Sequence, residues 1–270
     1  APGGGGAGLA RRAARGRLGP RESAARRRAN EGGDIHIMRV TVVGSGDAFG
    51  AGGRFNTCLH VEGGEAPFLL DCGASSLVAL NAPHARHLDR NSIAAILFTH
   101  FHGDHFAGLP YFLLDAQFVT RRRAPLLVAG PKGVAERART VVETLYPGAF
   151  DAPRKFDMSF MEISPDAPAD LLGVRVEAFA MVHDERAGPC QGYRLSRRGR
   201  SFAFSGDTGW CDALPALTRG ADVALLECYQ DSARASAAHL AAPTLIARRG
   251  ELTARRLIVT HMSAAMLASD

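Results

Sequence analysis

The sequence from residue 38 onward predicts an α/β domain in which β-sheets are covered by helices. Short runs rich in β-branched and aromatic residues recur along the chain, and Gly-rich turns separate them. Between several of these runs lie longer stretches whose apolar residues repeat at helical spacing. The chain has 270 residues and a hydrophobic content of 46%, which is enough for one domain, residues 38–270, with a large buried core.

The elements follow in order from this alternation. In the first half, strands are predicted at 40–43, 56–61, 68–70 and 93–98. Helices are predicted there over 75–81 and 106–120, and Pro110 is acceptable because it would lie in the first turn of the second helix. In the second half, strands are predicted at 126–129, 157–163, 174–182, 190–195, 201–205, 222–226 and 257–260, and helices near 133–145 and 240–248.

A dense group of metal-binding side chains follows the strand at 93–98. Residues 99–105 read Thr-His-Phe-His-Gly-Asp-His, so three of the ten histidines and one aspartate fall within six positions. Imidazole and carboxylate are preferred zinc ligands, and four of them exceed what one catalytic ion with an open water position requires. The sequence therefore predicts a site for two metal ions here.

Three further candidate ligands lie just after other predicted strands. They are His183, Asp207 within the phrase Ser-Gly-Asp-Thr, and His261. Each candidate group is thus at the end of a strand, as a site on one edge of a sheet requires. The Gly-rich segment at 44–46 is predicted to be a turn beside this site, because its spacing fits neither the Rossmann nor the P-loop pattern.

The order of these residues resembles the metal signature of the metallo-β-lactamase-fold hydrolases. The matching phrases are His-x-His-x-Asp-His, a later His, Ser-Gly-Asp-Thr and a final Thr-His, and the resemblance runs from about residue 38 to the C-terminus. It implies a four-layer αββα sandwich with the metals at the sheet edge. It also implies one metal held by His100, His102 and His183, another held by Asp104, His105 and His261, and Asp207 bridging the two.

The same resemblance implies cofactors and a reaction class. Two divalent ions are expected, zinc first, with Mn²⁺ or Fe²⁺ as alternatives. Ions of this kind generate a hydroxide near neutral pH, which suits hydrolysis of a phosphodiester or an ester-like bond, and Asp104 is expected to orient that hydroxide. Asp71, at the end of the strand 68–70, matches the family acid that accepts the free N–H of a ligand imidazole.

A second pair of residues resembles the ribonuclease Z branch of this superfamily. Glu227 and His239 match in order and approximate spacing the Glu and His that form its proton-donating pair. A protonated histidine held by a glutamate is a suitable general acid near neutral pH. The alternative is that Glu227 ends a strand and His239 begins a helix.

One departure from that branch favours a small substrate. Only twelve residues separate Gly-Tyr-Arg at 192–194 from Asp207, where the transfer-RNA-processing members insert a long basic arm. Residues 38–270 also carry 24 basic and 24 acidic side chains, so the net charge of +5 belongs to residues 1–37. We therefore expect a zinc-dependent phosphodiesterase acting on a small, cyclic phosphodiester, with no nucleic-acid partner.

Other functions stay open at this stage. Ribonuclease Z-like RNA 3′-processing is the runner-up, and a thioesterase, lactonase or sulfatase would use the same metal site. Flavodiiron redox chemistry is disfavoured, because those proteins place Glu where this chain has His102. A non-catalytic metal-binding protein is disfavoured because every ligand position is filled.

Composition bounds the rest of the prediction. Residues 1–37 are rich in Gly, Ala and Arg without apolar periodicity, so we expect a disordered N-terminal extension. Five cysteines without framework spacing indicate reduced thiols and a cytoplasmic protein, and no stretch is apolar enough for a membrane span. Arg121 to Arg123 are predicted to be a solvated charge run. The sequence leaves a homodimer open.

Overall fold

The structure is a computed structural model that describes residues 38–232 and 238–269. The expected extension at 1–37 lies outside the described residues. Residues Ile37–Asp270 form one compact unit, and the description below concerns that unit. Among the described residues, no helix is long and apolar enough to cross a membrane.

The first half of the unit forms a six-stranded sheet in chain order. Its strands are β1 (Arg39–Gly44), β2 (Cys58–Glu62), β3 (Phe68–Leu70), β4 (Ala95–Leu97), β5 (Leu126–Gly130) and β6 (Met158–Glu162). The first three strands pair antiparallel, and β3 to β6 pair parallel. The four parallel strands therefore all end at the same edge of the sheet.

The second half forms another six-stranded sheet. Its strands are β7 (Ala169–Leu171), β8 (Val174–Ala180), β9 (Gln191–Arg197), β10 (Arg200–Phe204), β11 (Val223–Glu227) and β12 (Arg256–Thr260). Strands β7 to β10 pair antiparallel, whereas β10, β11 and β12 pair parallel. It follows that β8, β10, β11 and β12 run in one direction and end at one edge.

Seven α-helices lie among the described residues. They are α1 (Ser76–Asn81), α2 (Gly103–Phe106), α3 (Leu109–Leu114), α4 (Val134–Leu145), α5 (Ala213–Thr218), α6 (Ala242–Ala247) and α7 (Ala264–Ala268). A π-helical turn at Asp115–Val119 continues α3, and short 3₁₀ turns occur at Ala51–Gly53, Glu185–Ala187 and Arg249–Glu251.

Successive side chains along a strand pack on opposite faces of its sheet, one face against the other sheet and one against helices, and this alternation creates the layers. In β4, Ala95 and Leu97 pack against the second sheet, whereas Ile96 between them packs with the helices α1, α3 and α4. In β11, Leu225 joins the core between the sheets, and Leu226 packs with α5 and α6. Three cores separate four layers, so the predicted αββα sandwich is confirmed.

Two sequence predictions are corrected by the structure. The single helix predicted over 106–120 is broken, because the chain turns after α2, where Gly108 donates its N–H to the carbonyl of Cys72 at 2.9 Å, and only then runs through α3 into the π-helical turn. A Cβ at Gly108 would lie 2.3 Å from the carbonyl oxygen of Gly73, so this turn requires glycine.

Arg122 is 1% exposed rather than solvated, and its guanidinium donates to the carbonyls of Ala124 and Pro125 at 2.7 and 2.6 Å. Strand β7 and helices α5 and α7 were not predicted.

Candidate metal centre

The ends of β4, β8, β10 and β12 meet where the two sheets come together, and the predicted ligands converge there. Their ligand atoms fall into groups within 4.8 Å of one another. One group is His100, His102 and His183, and the other is Asp104, His105, Asp207 and His261. All seven predicted ligands are thus at one site; their assignment to metal ions stays a prediction.

Close backbone contact explains why glycines flank the ligands. His102 is extended, and the four-residue helix α2 directly after it presents Asp104 and His105. This helix touches the turn after β3: a Cβ on Gly73 would lie 1.9 Å from the carbonyl oxygen of Asp104. Any side chain at Gly73 would therefore push the ligand helix away from the site.

The Ser-Gly-Asp turn after β10 is shaped by the same constraint. Gly206 has φ +58°, and a Cβ there would lie 2.9 Å from the Cβ of Thr99 and 3.0 Å from the carbonyl oxygen of Gln191. Glycine both adopts this left-handed conformation and lets the turn pack on the loop after β4. Asp207, the next residue, is thereby brought beside the histidines of the first sheet.

The three histidines of the first group each direct one ring nitrogen to the site and have the other occupied. His102 Nδ1 lies 3.0 Å from His183 Nε2, and His183 donates Nδ1–H to the carbonyl of Ala238 at 2.7 Å. His100 Nδ1 lies 3.0 Å from Thr99 Oγ1. Its Nε2 is buried and has no hydrogen-bond partner in the described part of the chain, as is expected of a nitrogen kept for a metal.

The second group is still tighter. His261 Nε2 lies 3.0 Å from Asp104 Oδ2 and 3.3 Å from His105 Nε2, and His105 Nε2 lies 3.1 Å from Asp207 Oδ1. The other oxygen of Asp207, Oδ2, lies 3.4 Å from His261 Nε2 and 3.8 Å from His183 Nε2 of the first group. Asp207 therefore lies between the groups, where a bridging carboxylate would be.

These separations fit metal ions. With metal–ligand distances of about 2.0–2.1 Å, the ligand atoms of a tetrahedral ion are about 3.3 Å apart. The separations around Asp207 are 3.1, 3.4 and 3.8 Å, and the facing imidazole nitrogens of His105 and His261 are 3.3 Å apart, so all are of about that size. The donor set of imidazoles and carboxylates is also the one zinc prefers.

The charges of the site are balanced internally. Burial alone would raise the pKa of Asp207, but the imidazoles of His105 and His261 outweigh it and hold that pKa well below its usual range. Burial likewise opposes protonation of His105, yet the carboxylates of Asp207 and Asp104 leave its pKa well above its usual value. His100 is different, because burial lowers its pKa and keeps its imidazole neutral and ready to bind a metal.

Asp71 fixes the ligand loop by accepting hydrogen bonds from Thr99 and His105. It accepts hydrogen bonds from the Thr99 N–H at 2.8 Å, from the Thr99 hydroxyl at 2.9 Å and from His105 Nδ1 at 2.7 Å. The carboxyl group is fully buried, and the residue has φ +60°. The contact with His105 leaves Nε2 of that ring as the nitrogen that faces the site, in agreement with the role expected for Asp71.

Glu227 and His239 also meet. His239 Nδ1 lies 2.9 Å from Glu227 Oε1, and Glu227 accepts a further hydrogen bond from the N–H of Thr208. Glu227 is the last residue of β11 and is 1% exposed. The ring centroid of His239 is 4.8 Å from that of His183 and 5.9 Å from that of His261. The pair is therefore adjacent to both groups of candidate ligands, and His239 is near enough to them to be a ligand itself.

Two neighbours of the site were missed by sequence reasoning. The ring of Tyr229 lies 4.8 Å from that of His239, and Asp184 Oδ2 lies 3.5 Å from His102 Nε2. Tyr229 follows the end of β11 by two residues and Asp184 directly follows His183. The sequence signal for Tyr229 and Asp184 is that each lies within two residues of a predicted site residue.

The sequence matches a known protein family over most of its length. The model of the Beta-lactamase superfamily domain matches residues 67–262, which include every ligand candidate. The chain belongs to this superfamily. The two six-stranded sheets and the helices that cover them are those of the metallo-β-lactamase fold.

Among curated proteins, the chain is 30% identical to ribonuclease Z of Lachnospira eligens over 161 residues, 59% of this chain and 49% of that protein. It is 27% identical to ribonuclease Z of Mycobacterium bovis over 198 residues, 69% of this chain and 68% of that protein. The match with the Lachnospira eligens protein thus spans about half of the relative's length.

Solved structures share the fold at low sequence identity. A metallo-β-lactamase-fold protein from Bacillus subtilis has a TM-score of 0.67 at 22% identity, covering 84% of this chain and 86% of its own. The short form of human tRNase Z has a TM-score of 0.65 at 23% identity, covering 84% and 93%. A diphosphatase of the PhnP family has a TM-score of 0.64 at 18% identity, covering 84% and 88%.

Proposed function

We propose that this protein is a two-metal phosphodiesterase that hydrolyses a small, cyclic phosphodiester. The observation that carries the proposal is the Glu227–His239 pair, 2.9 Å apart and beside both ligand groups. The seven ligand candidates fill both groups without His239, so the imidazole that Glu227 holds is left to donate a proton. A hydrolase whose leaving group is a poor one, such as a sugar alkoxide, needs a proton donor at that place.

We assign His100, His102 and His183 to one ion, and Asp104, His105 and His261 to the other, with Asp207 shared. Two divalent ions bound there would activate water at neutral pH and stabilise charge on a phosphoryl oxygen. Asp104 would also accept a hydrogen bond from the attacking water, since its Oδ2 lies beside the second group, 3.0 Å from His261 Nε2 and 3.5 Å from His105 Nε2. Zinc is our first choice on the chemistry of the donor set.

The proton for the leaving oxygen would come from His239. Because Nδ1 donates to Glu227, Nε2 is the ring nitrogen left for the substrate. Burial raises the pKa of Glu227 and lowers that of His239, so a lone charge on either group is disfavoured and the two share one proton. Transfer of that proton from Nε2 to the leaving oxygen leaves neutral His239 hydrogen-bonded to the carboxylate.

A short connection supports a small substrate. Strands β9 and β10 are joined by Arg198 and Gly199 alone, both with positive φ, so no arm leaves the fold at this point. The residues from 38 onward have no net formal charge to attract a polyanion. Ribonuclease Z-like RNA 3′-processing is the second candidate, favoured by the names of the curated relatives.

The test is His239→Ala, with His87→Ala as the matched control at an exposed histidine outside the site. We expect metal content by elemental analysis to be unchanged and kcat on a 2′,3′-cyclic nucleotide to fall about 10²- to 10⁴-fold. The loss should be much smaller on bis-p-nitrophenyl phosphate, because p-nitrophenolate leaves without a proton. His87→Ala should match the wild type on both substrates.

Other outcomes are equally decisive. Equal losses on both diesters would exclude the general-acid role, and loss of metal in His239→Ala would make it a ligand. Cleavage of a precursor transfer RNA with no turnover of cyclic phosphates would support the second candidate. Turnover of thioesters, lactones or sulfate esters alone would refute the proposal.

A further inference from the structure

A cavity of about 540 Å³ opens beside the metal centre, on the side of Tyr229. It lies between the turn after β1, the segment after β11 and the start of α7. We call it the Phe49 cavity. Its described lining residues are Asp47, Phe49, Ala51, Tyr229, Gln230, Asp231, Ser232, Ser263, Ala264 and Ala265.

The cavity adjoins the proton donor. The ring of Tyr229 lies 4.8 Å from that of His239 and 6.0 Å from that of His261, and Ser263 follows His261 by two residues. A substrate whose leaving oxygen faces His239 would therefore extend the rest of its leaving group along Tyr229 into this cavity.

Phe49 is the unusual residue of the lining. Its side chain is 82% exposed, the largest exposure among the large hydrophobic residues of the described chain, although it is next to a buried turn. Asp47 is 1% exposed and braces that turn: its Oδ1 accepts from the N–H of Ala51 at 2.8 Å, and its carbonyl accepts from Asn56 Nδ2 at 2.9 Å. Phe49 is thus an apolar ring held out to solvent on a braced turn, and a ligand that covered it would gain the free energy of burying its apolar surface.

The polar groups of the cavity show what could cover the ring. The lining offers the carboxylate of Asp231, hydroxyls at Ser232 and Ser263, and the buried Gln230 Oε1, which has no hydrogen-bond partner in the described chain; the carboxylate of Asp47 is buried in the turn and adds its negative charge. None of the described lining residues is basic. Nearby Arg54 donates to the carbonyls of Ala51 and Met262 and is therefore already engaged.

A lining of this kind selects one chemical class. Aromatic faces bind flat heterocycles, whereas hydrogen-bond acceptors bind N–H groups. Two carboxylates without a basic partner repel a second phosphate. An uncharged, planar ligand that bears N–H donors meets all three conditions, and a nucleobase is such a ligand.

We infer that the Phe49 cavity binds the nucleobase of the nucleoside whose sugar oxygen leaves, with Phe49 as the stacking residue. The inference rests on the proposed function and specifies its substrate class: cyclic phosphates of nucleosides, bound through the base and not through further phosphates. Phe49 is then a specificity-determining residue outside the metal centre and the proton-donating pair.

The test compares a substrate with and without a base in the metal-loaded enzyme. Phe49→Ala should raise KM for adenosine 2′,3′-cyclic phosphate about 5- to 150-fold, the range expected for loss of base–aromatic stacking. It should leave kcat unchanged, because stacking is the same in ground and transition states. KM for glycerol 1,2-cyclic phosphate, which has no base, should not change. Phe49→Trp should restore KM for the nucleotide, whereas Phe49→Leu should not.

The matched control is Phe118→Ala, since Phe118 is also exposed, at 69%, but follows α3 and lies away from the cavity. It should behave as the wild type on both substrates. Equal changes in KM for the nucleotide and for glycerol cyclic phosphate in Phe49→Ala would overturn the inference, and so would no change for either.

A binding experiment separates this inference from the proposed function. Saturation-transfer NMR with adenosine, an uncharged probe that is not a substrate, should show transfer to the adenine protons in the wild type and its loss in Phe49→Ala. If adenosine binds in this way but no phosphodiester is hydrolysed, the proposed function fails and the cavity stands. If cyclic phosphates are hydrolysed but adenosine gives no Phe49-dependent signal, the cavity inference fails and the function stands.

Discussion

Replacing Asp71 tests whether the hydrogen bonds that it accepts from Thr99 and His105 orient the ligand loop, or whether metal binding alone does so. Asp71→Asn preserves the size of the side chain, and asparagine tolerates the φ of +60° at this position. Its amide oxygen can still accept from the Thr99 N–H. The amide nitrogen, however, would then face His105 Nδ1, so that two donors meet where a charged acceptor now lies 2.7 Å from the ring.

The size of the effect follows from that one contact. A hydrogen bond to a charged group contributes about 1.5–3 kcal/mol, so losing it should weaken zinc binding about 10- to 100-fold. Asp71→Ala should lose more, since it also removes the acceptor for Thr99 and places alanine in the left-handed region, at about 1–2 kcal/mol further cost.

Zinc affinity is measured by competition with a chromophoric chelator, and the free energy of unfolding by urea denaturation of the zinc-loaded protein. The exposed Asp166 supplies the control, Asp166→Asn, which should match the wild type in both measurements. If Asp71→Asn binds zinc as tightly as the wild type, the hydrogen bond to His105 does not orient the ligand and our reasoning is wrong.

Three further predictions concern the metals and the chain boundary. Elemental analysis should find close to two zinc ions per wild-type chain and fewer in Asp207→Ala, which should also be inactive; one ion or fewer in the fully supplemented wild type would refute a two-metal site. Zinc loading at pH 6.5 in weak buffer should release protons, because Asp207 and Asp104 outweigh burial and raise the pKa of His105 and His261, whereas an imidazole must be neutral to bind a metal. Zinc affinity should accordingly fall between pH 8 and pH 6, and a pH-independent affinity without an indicator change would contradict this. A chain starting at Met38 should retain metal, activity and Tm, because residues 1–37 lack apolar periodicity; aggregation of that shorter chain would show that the boundary is wrong.

The ligand positions could be predicted from sequence because metal binding needs rare residue types at strand ends. His, Asp and Glu stand out against apolar runs, and the strands before His100, His183, Asp207 and His261 were each identifiable by their pattern. The layers were implied by the resemblance, since periodicity alone cannot say which strands share a sheet.

The rest depends on contacts between distant segments, which periodicity does not contain. Helix α2 is only four residues long, and its position is set by the turn at Gly73. Arg122 is buried because carbonyls of the neighbouring loops receive its guanidinium, whereas its sequence neighbours suggest only a charged surface. Phe49 looks like an ordinary core residue until the structure places it in solvent.

At His261, the side chain that the site needs lies on a backbone conformation that lowers the stability of the fold. This residue has φ +57°, a conformation that costs a side chain about 1 kcal/mol and glycine almost nothing. Its Nε2 also lies 3.3 Å from Nε2 of His105. His261→Gly would therefore relax the backbone and remove a predicted metal ligand in a single step. The strain at this position thus accompanies the imidazole, since glycine would follow the same course of the chain without it.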